Sequence, residues 1–254
     1  RSGSVANLLN SIGIDLYKLE GGYKAYRNYV LDYLKDIMNE KEFIVLHGLT
    51  GVGKTELLVG LKNNNMDIID LENMARNTGS VFGFITYDEK PPSQKTFETR
   101  IFEALFFSKS DFIFIESESK RVGHVLVPNE IYEAIIRDGY HILIECDMKE
   151  RVKRLCNDYI NSRDARNIED LKECINTFRK RLGNKTVDEY LELLENKKYE
   201  ELVEKYLISY YDPLYMHSIK QYKYNDIIKF EDANDTIKKL MSFHKTAVKG
   251  VKQC

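Results

Sequence analysis

The sequence predicts an α/β fold, one parallel sheet covered by helices, with a helical insertion ahead of the last strand. Two patterns lead to this. Five short apolar runs, 43–47, 67–70, 111–116, 140–145 and 226–230, read as strands buried on both faces, and helical spacing fills the gaps between them. From 164 to about 207 the chain instead becomes charged and Leu-rich at helical spacing, with no strand candidate.

Composition sets the bounds. With 254 residues, 43% of them hydrophobic, the chain can bury one sizeable core and a small second unit. Thirty-eight Lys and Arg against 40 Asp and Glu leave a net charge of -2, so any nucleic-acid contact must come from a local basic patch. Cys146, Cys156, Cys174 and Cys254 form no CxxC pair, which excludes the usual zinc and disulfide frameworks and fits reduced thiols. No apolar run reaches the ~18 residues of a membrane span and no charged-then-apolar leader opens the chain, so the expectation is a cytoplasmic protein with no membrane partner.

In chain order, residues 1–40 read as a helix, a short strand, a turn at Gly21-Gly22 and a second helix. That is too little for a core. Leu8, Leu9, Ile12, Ile14 and Leu16 form an apolar set that so short a segment cannot bury, so it packs elsewhere or completes a domain supplied by another chain.

Residues 41–160 form the predicted core. Its first strand runs into LHGLTGVGKTELL, 46–58, where Gly48, Gly53, Lys54 and Thr55 have the spacing of a phosphate-binding P-loop and a helix over 55–61 follows. The fold is thus P-loop kinase-like. Backbone amides of Thr50, Gly51 and their neighbours would converge on phosphate oxygens, Lys54 would reach the terminal phosphates, and the Thr55 hydroxyl would meet a bound Mg²⁺. The second strand ends in Asp70 and Glu72, candidates for positioning a substrate, followed by an Asn77-Thr78-Gly79-Ser80 turn. Ser93 reads as the N-cap of a helix over 94–107, which puts Lys95 in the first turn, against the helix dipole, as if it served a ligand. The run FIFIE ends at Glu116, where a P-loop enzyme carries an acid for Mg²⁺, usually Asp. Beyond it Glu118, Lys120 and Arg121 reach the carboxyl edge of the sheet, and the two cations suggest a polyanionic substrate. Helices over 129–137 and 149–159 flank the fourth strand.

Residues 161–222 form the helical insertion, interrupted near Gly183 and Asn184. Its cations Arg163, Arg166, Arg179, Lys180, Arg181 and Lys185 are either a solvated face or an RNA contact. Residues 223–254 return to the core as its last strand and a helix over 235–244, capped by Asp232 or Asn234.

Five segments, GLTGVGKTELL, IIDLENMARNTGSVFG, PPSQKTFETRI, IFIESESKRVGHVLVP and YYDPLYMHS, together and in this order resemble the tRNA 2-selenouridine synthase family, which also geranylates 2-thiouridine in tRNA. That family joins a rhodanese-like domain with a nucleophilic Cys to a P-loop domain. Residues 1–40 resemble the part just after the Cys loop, a partial rhodanese-like segment and linker beginning at Arg1, and the Cys itself is absent. Either a longer form of the polypeptide or, as we expect, a separate rhodanese-like subunit supplies it.

The resemblance implies a two-stage reaction on tRNA bearing 2-thiouridine at the wobble position. The sulfur first takes the geranyl group of geranyl diphosphate, and selenium from selenophosphate then displaces the geranylthio group. ATP consumption is not expected. The P-loop, Gly48 to Thr55, would hold the diphosphate with Mg²⁺, Lys120 and Arg121 would clamp it, and Glu116, Asp70 or Glu72 would hold the metal or assist proton transfer. For a splayed anticodon, Arg163, Arg166, Arg179 and Arg181 are the candidate backbone contacts. Tyr211, with Tyr210 and Tyr215, is the candidate for base stacking, though core packing explains these tyrosines equally well. Two alternatives stay open: a small-molecule or nucleoside kinase with Lys149, Arg151, Lys153 and Arg154 as lid cations over ATP, and a non-catalytic RNA-binding subunit.

Overall fold

The computed structural model describes residues 2–36, 40–78, 87, 90–161 and 166–251. Five parallel strands make one sheet in the order β2-β3-β1-β6-β7. They are β1 (Glu42–His47), β2 (Ile68–Ile69), β3 (Phe112–Glu116), β6 (Tyr140–Glu145) and β7 (Asp226–Lys229), and β4 (Arg121–Val122) pairs with β5 (Val125–Leu126) as a separate antiparallel hairpin.

Alternation along the strands builds two cores. Phe43 and Val45 of β1 point to one face with Ile113 and Ile115 of β3, against α2 (Gly22–Asp36), α5 (Gln94–Phe106) and α6 (Asn129–Arg137). Ile44 and Leu46 point to the other with Phe112, Phe114, Ile142 and Ile144, against α3 (Lys54–Asn63) and α13 (Ala233–Val251). Each fully buried Leu, Ile or Phe contributes about 1.5–3 kcal/mol by leaving water. A single-turn helix, α4 (Leu71–Ala75), follows β2. Asp232 caps α13 by accepting the Asp235 N–H at 3.0 Å, while Asn234 lies inside the helix.

A third core belongs to the helices between β6 and β7: α7 (Met148–Cys156), α8 (Arg166–Thr177), α9 (Arg179–Leu182), α10 (Asn184–Glu195), α11 (Tyr199–Tyr206) and α12 (Asp212–Ile219). Phe178, Val187, Tyr190, Leu194 and Leu207 lie at its centre. Two π-helical turns, Asn157–Asn161 after α7 and Leu207–Tyr211 before α12, interrupt the α-helical register. Gly183 separates α9 from α10 with φ 82°, a left-handed value.

At the N-terminal end α1 (Ser2–Ser11) leads to an irregular segment and then α2. The short strand expected here does not form, because none of the described strands lies beside it to supply ladder hydrogen bonds. The apolar set is left open to solvent, with Leu8 65% and Ile12 66% exposed. Among the described residues no helix is long and apolar enough to cross a membrane.

Candidate functional site

The site grows from the register of β1 against β3. Leu46 lies opposite Glu116, and the Ser117 N–H donates to the Leu46 carbonyl at 2.9 Å, so the loop leaving β1 and the acid ending β3 emerge side by side at the carboxyl edge. The 48–53 loop turns there into α3. Gly53 stands at its start with φ 98°, and a Cβ would come within 2.4 Å of the Phe230 ring. At Gly51, φ 79°, a Cβ would come within 2.9 Å of Leu155, so both positions demand glycine for conformation and for space.

Two arginines on one face of α7 hold the loop from outside. Arg151 donates Nε–H to the Thr50 carbonyl at 2.9 Å, and Arg154 donates Nη1–H to the Gly51 carbonyl at 2.7 Å. With consecutive carbonyls held outward, the amides of the loop are free to face the cavity. Arg151 also pairs bidentately with Asp212 at 3.0 and 2.5 Å, which ties the helical unit to the loop, and Arg154 lies over the Phe230 ring at 4.7 Å. The kinase alternative cast these arginines as lid cations. Arg151 spends its donors on the Thr50 carbonyl and Asp212 instead, Arg154 bonds the Gly51 carbonyl and Glu56 while lining the cavity inside the loop, and Lys149 and Lys153 are exposed on α7.

Inside the loop lies a cavity of about 600 Å³, lined by Lys54, Thr55, Glu72, Glu118, Arg154 and Tyr215 among others, with Tyr87, Thr78 and Tyr159 also on its wall. Lys54 Nζ reaches the Gly48 carbonyl at 3.2 Å, and Thr55 Oγ1 donates to Glu72 Oε2 at 3.2 Å. Glu116 accepts the Glu72 N–H at 2.8 Å through Oε1, while its Oε2, fully buried, has no hydrogen-bond partner. Glu72, Glu116 and Glu118 can each bring a carboxylate oxygen within 4.8 Å of the others. Burial, then the charge of Glu118, pushes the Glu72 carboxyl up to about 8. Burial also raises Glu116, reinforced by Glu72, and Glu118, where Lys54 opposes it. Three crowded acids and an orphaned buried oxygen beside a Lys and a Thr hydroxyl suit a hard divalent cation.

The remaining predicted residues divide. Asp70 caps α4, accepting the Asn73 N–H at 2.9 Å, and its buried carboxyl lies against Glu116, behind the described cavity wall. Lys120 and Arg121 are also outside it, because the chain turns after Glu118 into the β4–β5 hairpin and carries them away. Lys120 binds Asn129 Oδ1 and lies over the Tyr132 ring, and Arg121 is exposed. Lys95 is exposed in the first turn of α5, beyond its Ser93 cap. Arg179 pairs with Asp188 at 2.8 Å and Arg181 donates to the Tyr210 hydroxyl, both on the surface of the helical unit. Tyr211 is 7% exposed in the third core, which leaves it no open face for a base. Arg163 lies outside the described residues, as does the side chain of Arg166. Glu118, placed by the sequence at the carboxyl edge but given no role there, is the third acid of the cluster.

Beneath the loop His47 and His141 share a hydrogen bond, Nε2 to Nδ1 at 2.8 Å, under the Tyr222 ring. Burial, then the charges of His141 and Lys54, holds His47 down at about 3. The unfolded chain would bind a proton below about 6.5 that the native His47 refuses, so this residue lowers stability as pH falls from 6.5 toward 3. Urea unfolding at pH 7 and pH 5 should show wild type losing about 2 kcal/mol more than His47→Gln. The raised carboxyls act with the opposite sign, so the difference between the two proteins is the quantity to read; equal losses would contradict the buried neutral pair.

The family model described as the tRNA 2-selenouridine synthase AAA domain matches residues 41–247. Among curated relatives, a tRNA 2-selenouridine synthase of Shewanella halifaxensis is 32% identical, the match taking in 86% of this chain and 66% of that protein. One of Pseudomonas syringae pv. syringae is 30% identical, over 85% of this chain and 65% of its own length. The chain thus spans just under two thirds of these relatives. A shikimate kinase structure from Bacteroides thetaiotaomicron aligns with 80% of this chain and 98% of its own, at 14% identity and a TM-score of 0.33, a likeness too slight to bear on fold or function.

Proposed function

The chain belongs to the tRNA 2-selenouridine synthase family, and from that premise we propose that it is the P-loop part of a cytoplasmic enzyme that geranylates the wobble 2-thiouridine of tRNA. The observation that carries this reading is the convergence of Lys54, Thr55, Glu72 and Glu118 on one cavity of about 600 Å³, ample for a diphosphate and a nucleobase together, with the buried Glu116 carboxylate within reach of both glutamates behind its wall. The thiocarbonyl sulfur bonds to the prenyl carbon as the carbon–oxygen bond breaks, the electron pair leaves with the diphosphate, and the uridine N3 proton passes to a cavity carboxylate, Glu72 or Glu118. Loop amides and the Lys54 ammonium stabilise the charge gathering on that leaving group. Thr55, Glu72, Glu116 and Glu118 would hold Mg²⁺, which would supply Lewis-acid stabilisation of the same diphosphate.

In a second stage a Cys-bearing rhodanese-like partner and selenophosphate replace the geranylthio group by selenium. The open apolar side chains of α1 support such a partner. The kinase reading is weakened by the engagement of all three Arg151 nitrogens with the Thr50 carbonyl and Asp212.

The test mixes the chain with 2-thiouridine tRNA and geranyl diphosphate, with and without the partner and selenophosphate, and reads the nucleosides by mass spectrometry. The expected products are S-geranyl-2-thiouridine from the chain alone and 2-selenouridine only when partner and selenophosphate are added. Phosphoryl transfer from ATP without any geranylated nucleoside would favour the kinase, and full activity of the partner without this chain would favour an RNA-binding subunit.

A further inference from the structure

A second cavity, about 80 Å³, lies between the P-loop and the helical unit. Its wall is almost wholly carbon, from Leu155, Ile160, Leu171, Ile175, Leu202 and Leu207 among others. It shares Thr50, Leu155 and Tyr159 with the phosphate-side cavity, so the two adjoin across the tip of the loop. Water held against carbon finds few hydrogen-bond partners, so an apolar slot of this kind favours apolar guests. Both π-helical turns border it, the first through Tyr159 and Ile160, the second through Leu207 and Tyr211. Such turns break helical hydrogen bonding and collect at functional sites.

We propose that this slot seats the hydrocarbon tail of a short prenyl diphosphate whose head lies on the P-loop. The proposal rests on the diphosphate reading above and adds where the tail goes and what sets its length. A purine fits the slot poorly, because its ring nitrogens and amino group would be buried against carbon without partners. At roughly 10–15 Å³ for each water-sized group, the space takes about five to eight carbons, the scale of one to two isoprene units.

The test measures binding of inorganic diphosphate, dimethylallyl diphosphate and geranyl diphosphate to the full chain with Mg²⁺. Each buried methylene is expected to tighten binding about fourfold at most, so with room for about one to three carbons beyond the dimethylallyl group, geranyl diphosphate should bind about fourfold to sixtyfold tighter than the dimethylallyl compound. Ile175→Trp, which fills the slot, should erase that gain and leave inorganic diphosphate binding unchanged. Leu202→Phe is the second filling variant, and the chain-length series on wild type needs neither. Equal affinity for all three compounds in wild type, or a length gain that survives in a folded filling variant, would overturn the tail site. Absence of inorganic diphosphate binding to wild type would overturn the diphosphate reading and the tail site with it.

Discussion

Lys54→Ala is expected to lower geranyl transfer about 10²–10³-fold, the effect of removing one preorganised charge-stabilising donor from a closed site. Lys54 projects into the cavity from the first residue of α3, with Nζ on the Gly48 carbonyl and Glu72 and Glu118 close by. In the proposed reaction its ammonium would meet charge that grows on the leaving diphosphate, so kcat should carry most of the loss. Binding of tRNA, measured by filter retention, should be unchanged. Undiminished transfer by the variant would mean that the loop does not grip the leaving group.

Arg151→Ala is expected to cost about 3–5 kcal/mol of stability, because it leaves the Asp212 carboxylate without its partner in a part-buried position. For a chain of this size that is a fall of about 10 °C in Tm. The Arg151 side chain is 4% exposed and that of Asp212 19%. The double variant Arg151→Met with Asp212→Leu separates packing from positioning. It should recover much of the lost Tm, since apolar replacements of a buried pair are often neutral, yet keep a raised KM for geranyl diphosphate, because the Thr50 carbonyl has lost the bond that aimed it outward. Recovery of KM together with Tm would show that the pair only packs.

The strands were readable because burial on both faces leaves unbroken apolar runs. The run 140–145 became β6 without change, and 43–47 became β1 with only Glu42 added. The P-loop was readable because its glycines answer two separate demands, positive φ and close approach, and few other spacings do. Residues whose roles depend on what the chain does next were not. Asp70 reads as an acid at a strand end, but a one-turn helix follows and takes it as a cap. Lys120 and Arg121 sit within five residues of Glu116, yet a two-residue hairpin strand swings them off the cavity. Arg151 and Arg154 served the kinase alternative as lid cations, and only the packing of α7 against the loop shows each bonding a loop carbonyl. Tyr211 could not be placed from sequence, because a tyrosine in an aromatic helical run serves a core or a surface equally well.

The central claim is that residues 48–55 hold the diphosphate of a prenyl donor and that no nucleotide is spent. Its most direct measurement follows the full chain with 2-thiouridine tRNA, Mg²⁺ and geranyl diphosphate labelled with ³²P, with and without ATP, counting released diphosphate, geranylated nucleoside and ADP. One diphosphate released for each S-geranyl-2-thiouridine formed, at the same rate with and without ATP, is the predicted result. A geranylated nucleoside that forms only with ATP, or ADP accumulating in step with product, would contradict it.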